Sequence, residues 1–360
     1  MWPDRRLTDL LNIEIPIVQA PMAGANGSAL VIEICKAGAL GSLPCAMLDI
    51  EKMYSEMDLI RQQTKEPINV NFFVHERPEV NLEMDKKWSA RLSAYYSEFE
   101  LNTNVSVPKV NREPFDEAAC VFVEKVCPEV VSFHFGLPEL NLLNRVKAAG
   151  SKVLSSATTV EEACWLEERG CDAIIAQGYE AGGHRAMFLS NDINTQVGTL
   201  ALVPQVVDAV SIPVIAAGGI ADGRGIAAAF ALGAAGVQIG TPYLFTPEAL
   251  VSEMHLLSLK MAKDNSTAVT NLFSGRPARS IMNRIMQEVG PMSDFPTSFP
   301  NAGSALAPLK AAAEAEGRPD FSSLWSGQSA GLGESMGAAD LTQKLANDTL
   351  SRLRVITSFE

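Results

Sequence analysis

The sequence predicts a (β/α)8 barrel, an α/β fold of the TIM type, on two observations. Short apolar runs of β-forming residues alternate with amphipathic helical stretches, the pattern of a parallel sheet with helical crossovers. Polar, glycine-rich turns follow several of those runs, at the strand ends where such barrels carry their chemistry. The 360 residues, 47% of them hydrophobic, suffice for one large core and an elaboration. An open doubly wound sheet is the alternative, and the turn chemistry fits it less well.

Eight strands are expected, at residues 15–19, 39–43, 68–73, 130–135, 152–155, 173–176, 213–217 and 236–240. Helices fit between them at 28–36, 50–64, 160–169 and 223–232. The connection 74–128 is too long for a plain crossover. It holds a charged helical stretch at 84–99 and a polar, proline-containing loop at 102–114, and reads as an insertion over the barrel top. After the eighth strand, 247–263 is expected to be the eighth helix. A proline-rich stretch at 295–300, a helix at 305–316 and a Gly/Ser-rich segment at 327–337 come next. The expected division is therefore a barrel over 1–246 carrying the insertion 74–128. Residues 247–360 then hold the last barrel helix plus a smaller, mostly helical substrate or lid region over the mouth.

The net charge of −13 argues against nucleic acid and anionic membrane as partners, because phosphate needs a basic footprint. No run of about 18 apolar residues suggests a membrane span, and no secretory signal pattern is visible. The six cysteines form no CxxC pair and read as free thiols of a reducing compartment, so the expected location is the cytoplasm. The four histidines (His75, His134, His184, His255) form no HxH or HExxH, and no metal is expected.

The most informative stretch is Gln177-Gly-Tyr-Glu-Ala-Gly-Gly-His184-Arg185, directly after the sixth strand. Gly182 and Gly183 let backbone approach a flat or phosphorylated ligand, and His184 can move a proton near neutral pH. A plain glycine turn with a solvated histidine is the simpler alternative. Gly218 and Gly219 follow the seventh strand, and Gln238-Ile239-Gly240-Thr241 ends the eighth. Loops at these two places form a ready phosphate site in barrels, although such glycines also serve tight turns. Ala20-Pro21-Met22 after the first strand gives a rigid ledge with exposed backbone amides, suited to a flat ring. Asn71 alternates with Asn69 along the third strand, and an inward Asn needs a partner, either a ligand's ring edge or a water network. His134 reads as a satisfied packing group, with direct proton transfer as the alternative. His75 reads as a loop residue and His255 as structural. Tyr95, Tyr96, Phe295 and Phe299 read as packing unless they are lid aromatics.

Together these pieces resemble the nitronate monooxygenase family, formerly called 2-nitropropane dioxygenases, in its class I form. The matching pieces include Pro16-Ile-Val-Gln-Ala-Pro-Met22, Asn69-Val-Asn-Phe72, Ser132-Phe-His-Phe-Gly136, the 177–185 stretch and Phe273-Ser-Gly-Arg-Pro-Ala-Arg279. They span nearly the whole chain, and the 177–185 stretch and the tail are the specific ones. The resemblance implies FMN and the oxidation of alkyl nitronates, such as propionate-3-nitronate, by dioxygen, with a detoxifying role. It makes His184 the active-site histidine, and Asn71, Gln177, Gly182, Gly219 and the Gln238–Thr241 turn FMN contacts. The residues above add Ala20, Pro21, Met22, Gly183 and Gly218 to the cofactor set, and Ile239 and Gly240 lie within the turn. The expected partners are a small nitronate and dioxygen, for a monomer or homodimer. Two other readings stay open: an FMN-dependent NAD(P)H oxidoreductase reducing quinones or enoyl thioesters, and a flavin-binding protein without turnover.

Overall fold

The apolar runs form parallel strands whose two faces are both covered, one by helices and one by the barrel interior. The computed structural model describes residues 1–77, 81–102 and 113–357, so the polar loop expected at 102–114 lies mostly outside the described residues. In chain order the strands are β1 (Ile17–Gln19), β2 (Gly41–Pro44), β3 (Ile68–Phe73), β4 (Val130–His134), β5 (Lys152–Ala157), β6 (Ala173–Gln177), β7 (Gly183–His184), β8 (Val214–Ala217), β9 (Gly236–Ile239), β10 (Thr267–Thr270) and β11 (Ala278–Ile281). Eight of them make one sheet in the order β1-β9-β8-β6-β5-β4-β3-β2, with every pair parallel. A bridge from Val18 to Leu40 joins β1 to the start of β2 and closes the ring. The predicted (β/α)8 barrel is therefore present, with its strands within a few residues of the expected positions.

The flanking helices start where the sequence supplies caps. Asp49 accepts from the Lys52 N–H at the head of Ile50–Gln63, and Asp222 accepts from Arg224 and Gly225 at the head of Gly223–Ala231. Inside the ring, Val18, Leu40, Leu154, Ile175 and Ile215 pack with Leu7 and Leu11 of the short helix Arg6–Leu11. That helix stops the N-terminal end of the barrel, which leaves the C-terminal strand ends as the open mouth.

The eighth wall helix is not the one expected at 247–263. The helix there, Glu253–Met261, packs beside the one-turn helices Thr241–Phe245 and Ala330–Leu332. The wall is completed by Ala338–Thr357, which lies between Gly223–Ala231 and Ser28–Lys36. Its Leu341, Leu345 and Ala346 join the helix-facing core, and its Gln343 donates to the Ala37 carbonyl at 2.8 Å. The amphipathic period at 247–263 signalled a helix but not which neighbours would cover it.

The insertion helix Leu82–Glu98 builds a second core with the tail. Trp88, Leu92, Tyr95 and Tyr96 pack on Phe273, Ile285, Leu306, Leu309 and Phe321. The polar tips are all held: Trp88 Nε1 donates to Ala302 O at 3.0 Å, Tyr95 Oη to Glu288 at 2.8 Å and Tyr96 Oη to Ala305 O at 2.8 Å. Tyr95 and Tyr96 are thus packing residues. Among the described residues no helix is long and apolar enough to cross a membrane.

Candidate active site

β6 ends at Gln177, and the loop that follows returns across the barrel mouth. Within it β7 pairs antiparallel with β11, setting Gly183 opposite Arg279 and His184 opposite Ala278. β10 extends this to a three-stranded sheet with one strand from the barrel loop and two from the tail.

Side chains lock the loop to the strand it came from. Gln177 Nε2 donates to the His184 carbonyl at 3.0 Å, and Gln177 Oε1 accepts from the Ala186 N–H at 2.9 Å. Arg185 is fully buried and donates to the carbonyls of Gln177 at 2.8 Å and Gly178 at 2.6 Å. His134 Nε2 reaches the His184 carbonyl too, at 3.3 Å. Burial takes the His134 pKa down to about 3, against a smaller upward pull from that same carbonyl. The ring is therefore neutral, with its proton on the donating Nε2. His134 holds backbone, as the packing reading expected.

The His184 ring is positioned from the tail. Its Nε2 lies 2.9 Å from Ser274 Oγ, and the ring stands edge-on to Phe299 and tilted against Trp325, both at 5.4 Å between centroids. Ser274 Oγ is itself tied to the backbone of Arg276, donating to its carbonyl at 3.2 Å and accepting from its N–H at 3.3 Å. Sequence reasoning missed Ser274, because a serine in a turn carries no signal of what it faces.

A cavity of about 520 Å³ opens at this point, well inside the roughly 300–1,000 Å³ range of small-molecule sites. Ala20, Pro21, Met22, Asn71, Gln177, Gly182, Gly183, His184, Gly218, Gly219, Gln238, Gly240 and Thr241 all line it. Ile239 does not. The two-residue period of β9 turns Gln238 inward and sends the Ile239 side chain into the helix-facing core. The ledge after β1 also differs from expectation. The Ala20 N–H donates to Ile239 O at 2.8 Å, the Met22 N–H to Asn26 Oδ1 at 2.8 Å, and Pro21 has none. Ala20–Met22 thus presents carbon surface to the cavity without free amides of its own.

The glycine turns line the same cavity. Gly218 and Gly219 take φ of +109° and +68°, which favours glycine. Their carbonyls accept from the hydroxyls of Thr199 at 2.9 Å and Ser329 at 2.6 Å. The planar peptide then turns the N–H of Gly219 away from Thr199 and that of Ile220 away from Ser329. Gly182 is in close approach to the tail, since a Cβ there would lie 2.4 Å from Gly327 N. Gly327 N donates to Thr241 Oγ1 at 2.9 Å, so tail, loop and last strand meet.

Asn71 and Asn69 find protein partners for their amide nitrogens. Asn71 Nδ2 donates to Ser132 Oγ at 2.9 Å, and Asn69 Nδ2 to Ser42 Oγ and Ser132 Oγ, both at 2.9 Å. Gln238 Oε1, which borders the cavity, is buried and has no hydrogen-bond partner among the described residues. A buried acceptor left unmatched costs about 1–3 kcal/mol.

A family model described as nitronate monooxygenase matches residues 4–348. The chain belongs to the nitronate monooxygenase family. It is an oxidoreductase enzyme of that type, as the 177–185 stretch led us to expect. A probable nitronate monooxygenase of Staphylococcus saprophyticus is 36% identical over 355 residues, covering 96% of this chain and 99% of that protein. A probable nitronate monooxygenase of Staphylococcus aureus strain JH9 is 37% identical over 349 residues, covering 96% and 98%. Among solved structures, nitroalkane oxidase from Streptomyces ansochromogenes superposes with a TM-score of 0.88 at 36% identity, covering 98% of this chain and all of that one. FabK from Thermotoga maritima gives 0.75 at 26% identity, with both chains fully covered. In this nitronate monooxygenase family member the cavity lies between the strand ends and the tail.

Proposed function

We propose that this enzyme oxidises alkyl nitronates, such as propionate-3-nitronate, with FMN and dioxygen, and that His184 acts on the substrate. The observation that carries the proposal is one cavity lined by glycine turns after β8 and β9 and by a histidine fixed at its ring and its backbone.

FMN fits the residues present. Gln238 Oε1 is a buried acceptor in need of a donor, and Gly218, Gly219, Gly240 and Thr241 stand where a phosphate would meet backbone at two strand ends. Ala20, Pro21 and Met22 would support the flat ring, with Asn71 near its edge. When bound, FMN would supply the redox chemistry between nitronate and dioxygen. The chain itself binds, orients and shields. When neutral, His184 acts as a base that removes the α-proton of a nitroalkane, and the protonated ring donates a hydrogen bond to the nitro oxygens of an anionic nitronate. Trp325 and Phe73, which also line the cavity, keep water from the reacting carbon.

We assign the cover of the mouth to the part of 247–360 that precedes the wall helix, together with part of 74–128. Lys310, Glu314 and residues 322–327 share the cavity with the strand ends, which supports this. Six free cysteines fit a reducing compartment, so we place the enzyme in the cytoplasm, where removal of toxic nitronates is a suitable role.

An oxygen electrode tests the reading, with propionate-3-nitronate, nitroethane nitronate and NADPH run in parallel. Uptake is expected with the nitronates. Fast anaerobic bleaching by NADPH without nitronate-dependent uptake would establish the reductase reading instead. Heat-released cofactor that runs as FAD would remove FMN.

A further inference from the structure

Glu162 is 1% exposed, yet its carboxylate is not used where its sequence position suggests. It stands at the third position of the helix Val160–Glu168, with Thr159 as N-cap, which is the spacing of a capping box. Thr159 plays its half, accepting from the Glu162 N–H at 3.2 Å. The Glu162 carboxylate instead takes donors from two other segments. One oxygen accepts from the Thr158 N–H at 2.6 Å and the Thr158 hydroxyl at 2.7 Å. The other accepts from the N–H groups of Phe188 at 2.6 Å and Leu189 at 3.2 Å, in the loop that carries His184.

The Thr158 hydroxyl extends the network in one direction. It donates to Glu162 and accepts from Gln196 Nε2 at 3.0 Å. Gln196 Oε1 accepts in turn from Arg185 Nε at 2.9 Å. Every donor in the series Arg185, Gln196, Thr158, Glu162 points toward the carboxylate. The cationic end and the anionic end are both buried, and each needs its hydrogen bonds there. Chains of aligned hydrogen bonds polarise one another and hold a single arrangement.

We propose that Glu162, Thr158 and Gln196 are positioning residues for His184. The relay fixes Arg185, and Arg185 sets the main chain of the residue before it. The inference rests on the reading that His184 acts on the nitronate. Glu162, Thr158 and Gln196 are not among the residues that line the cavity, so breaking the relay at one of them should leave cofactor retention alone and change how His184 meets the substrate.

The test is a pair of substitutions at one position. Thr158→Val removes the hydroxyl at nearly constant shape, and Thr158→Ser keeps it. Turnover of propionate-3-nitronate per bound flavin is expected to fall about tenfold in Thr158→Val, with KM within about twofold, as a small misplacement of a reacting group does. Thr158→Ser should return kcat to within about twofold of the parent. Equal losses in both variants, or none in Thr158→Val, overturn the proposal. Gln196→Leu breaks the relay at a second point and serves if Thr158→Val fails to fold. It should show the same loss in kcat, and parental kcat there overturns the proposal. A second readout needs no turnover. With ¹⁵N-labelled histidine, the His184 ring signals and their pH dependence should change in Thr158→Val and not in Thr158→Ser, and unchanged signals count against the relay. If the parent enzyme itself consumes no oxygen with nitronates, the proposed function fails, while the ring signals still decide the relay.

Discussion

Gln177 and Arg185 hold each other's main chain. The Gln177 carboxamide bonds to the carbonyl before Arg185 and the N–H after it, while the Arg185 guanidinium bonds to the carbonyls of Gln177 and Gly178. Two residues eight apart thus close the loop from both sides, and His184 sits inside the closure. The backbone of the candidate active-site histidine is therefore set before any ligand arrives.

Replacing Arg185 by Met keeps the bulk and removes this closure. Two buried carbonyls and Gln196 Oε1 lose charge-assisted partners, worth about 1.5–3 kcal/mol apiece in favourable cases. Relief from burying the cation offsets part of that, because burial already lowers the Arg185 pKa to about 10. A net loss of about 3 kcal/mol in urea unfolding is expected. An unchanged midpoint would show that the closure contributes nothing.

His184→Asn should separate two roles. Loss of a general base costs roughly 10²–10⁴-fold, and loss of one hydrogen bond to a charged group about 10- to 150-fold. Turnover of neutral nitroalkanes should therefore drop more than that of preformed nitronates. The ratio between substrates is the measurement, taken per bound flavin. Equal drops leave His184 as an anion-binding or structural residue.

Stability should fall in acid through His134. Its folded pKa of about 3 lies below the ordinary histidine value near 6.5 because burial disfavours the charged ring. The unfolded chain then binds the extra proton between those values, so this contribution is complete above about pH 6.5 and is lost progressively toward pH 3. His255, also lowered by burial, acts in the same direction. His134→Gln cannot titrate, so the slope of unfolding free energy against pH between 6.5 and 4 should be shallower than in the parent. Parallel curves would refute this.

Gln238→Leu should act oppositely on the two forms of the protein. Cofactor-free protein loses an unmatched buried acceptor and should melt at the same temperature or higher. Cofactor-loaded protein would lose the proposed contact to Gln238, and flavin dissociation on dilution should speed up about tenfold. If the cofactor-free variant instead melts well below the parent, Gln238 Oε1 already has a partner.

Much of this was legible before the structure. The barrel followed from the alternation of runs, because strands covered on both faces are apolar throughout. The cavity residues followed from their places at strand ends, and Ile239 is the exception because the two-residue period of its strand turns it to the helix-facing core. What did not show were contacts across long separations. Ser274 meets His184 from 90 residues away, Gln343 meets Ala37 from 306, and Glu162 reaches past its own helix to residues 188–189. Local spacing holds no record of such pairings.

The wall helix Ala338–Thr357 has a consequence for how the chain matures on the ribosome. Until it emerges, the helices Ser28–Lys36 and Gly223–Ala231 lack the neighbour that lies between them, and the barrel stays open on that side. The first and last units of the ring can be sealed only by a contact of very high sequence separation, the kind that forms late. Nascent chains stalled before residue 338 should therefore hold an apolar seam that recruits chaperones, and release of the final turns should end that binding abruptly.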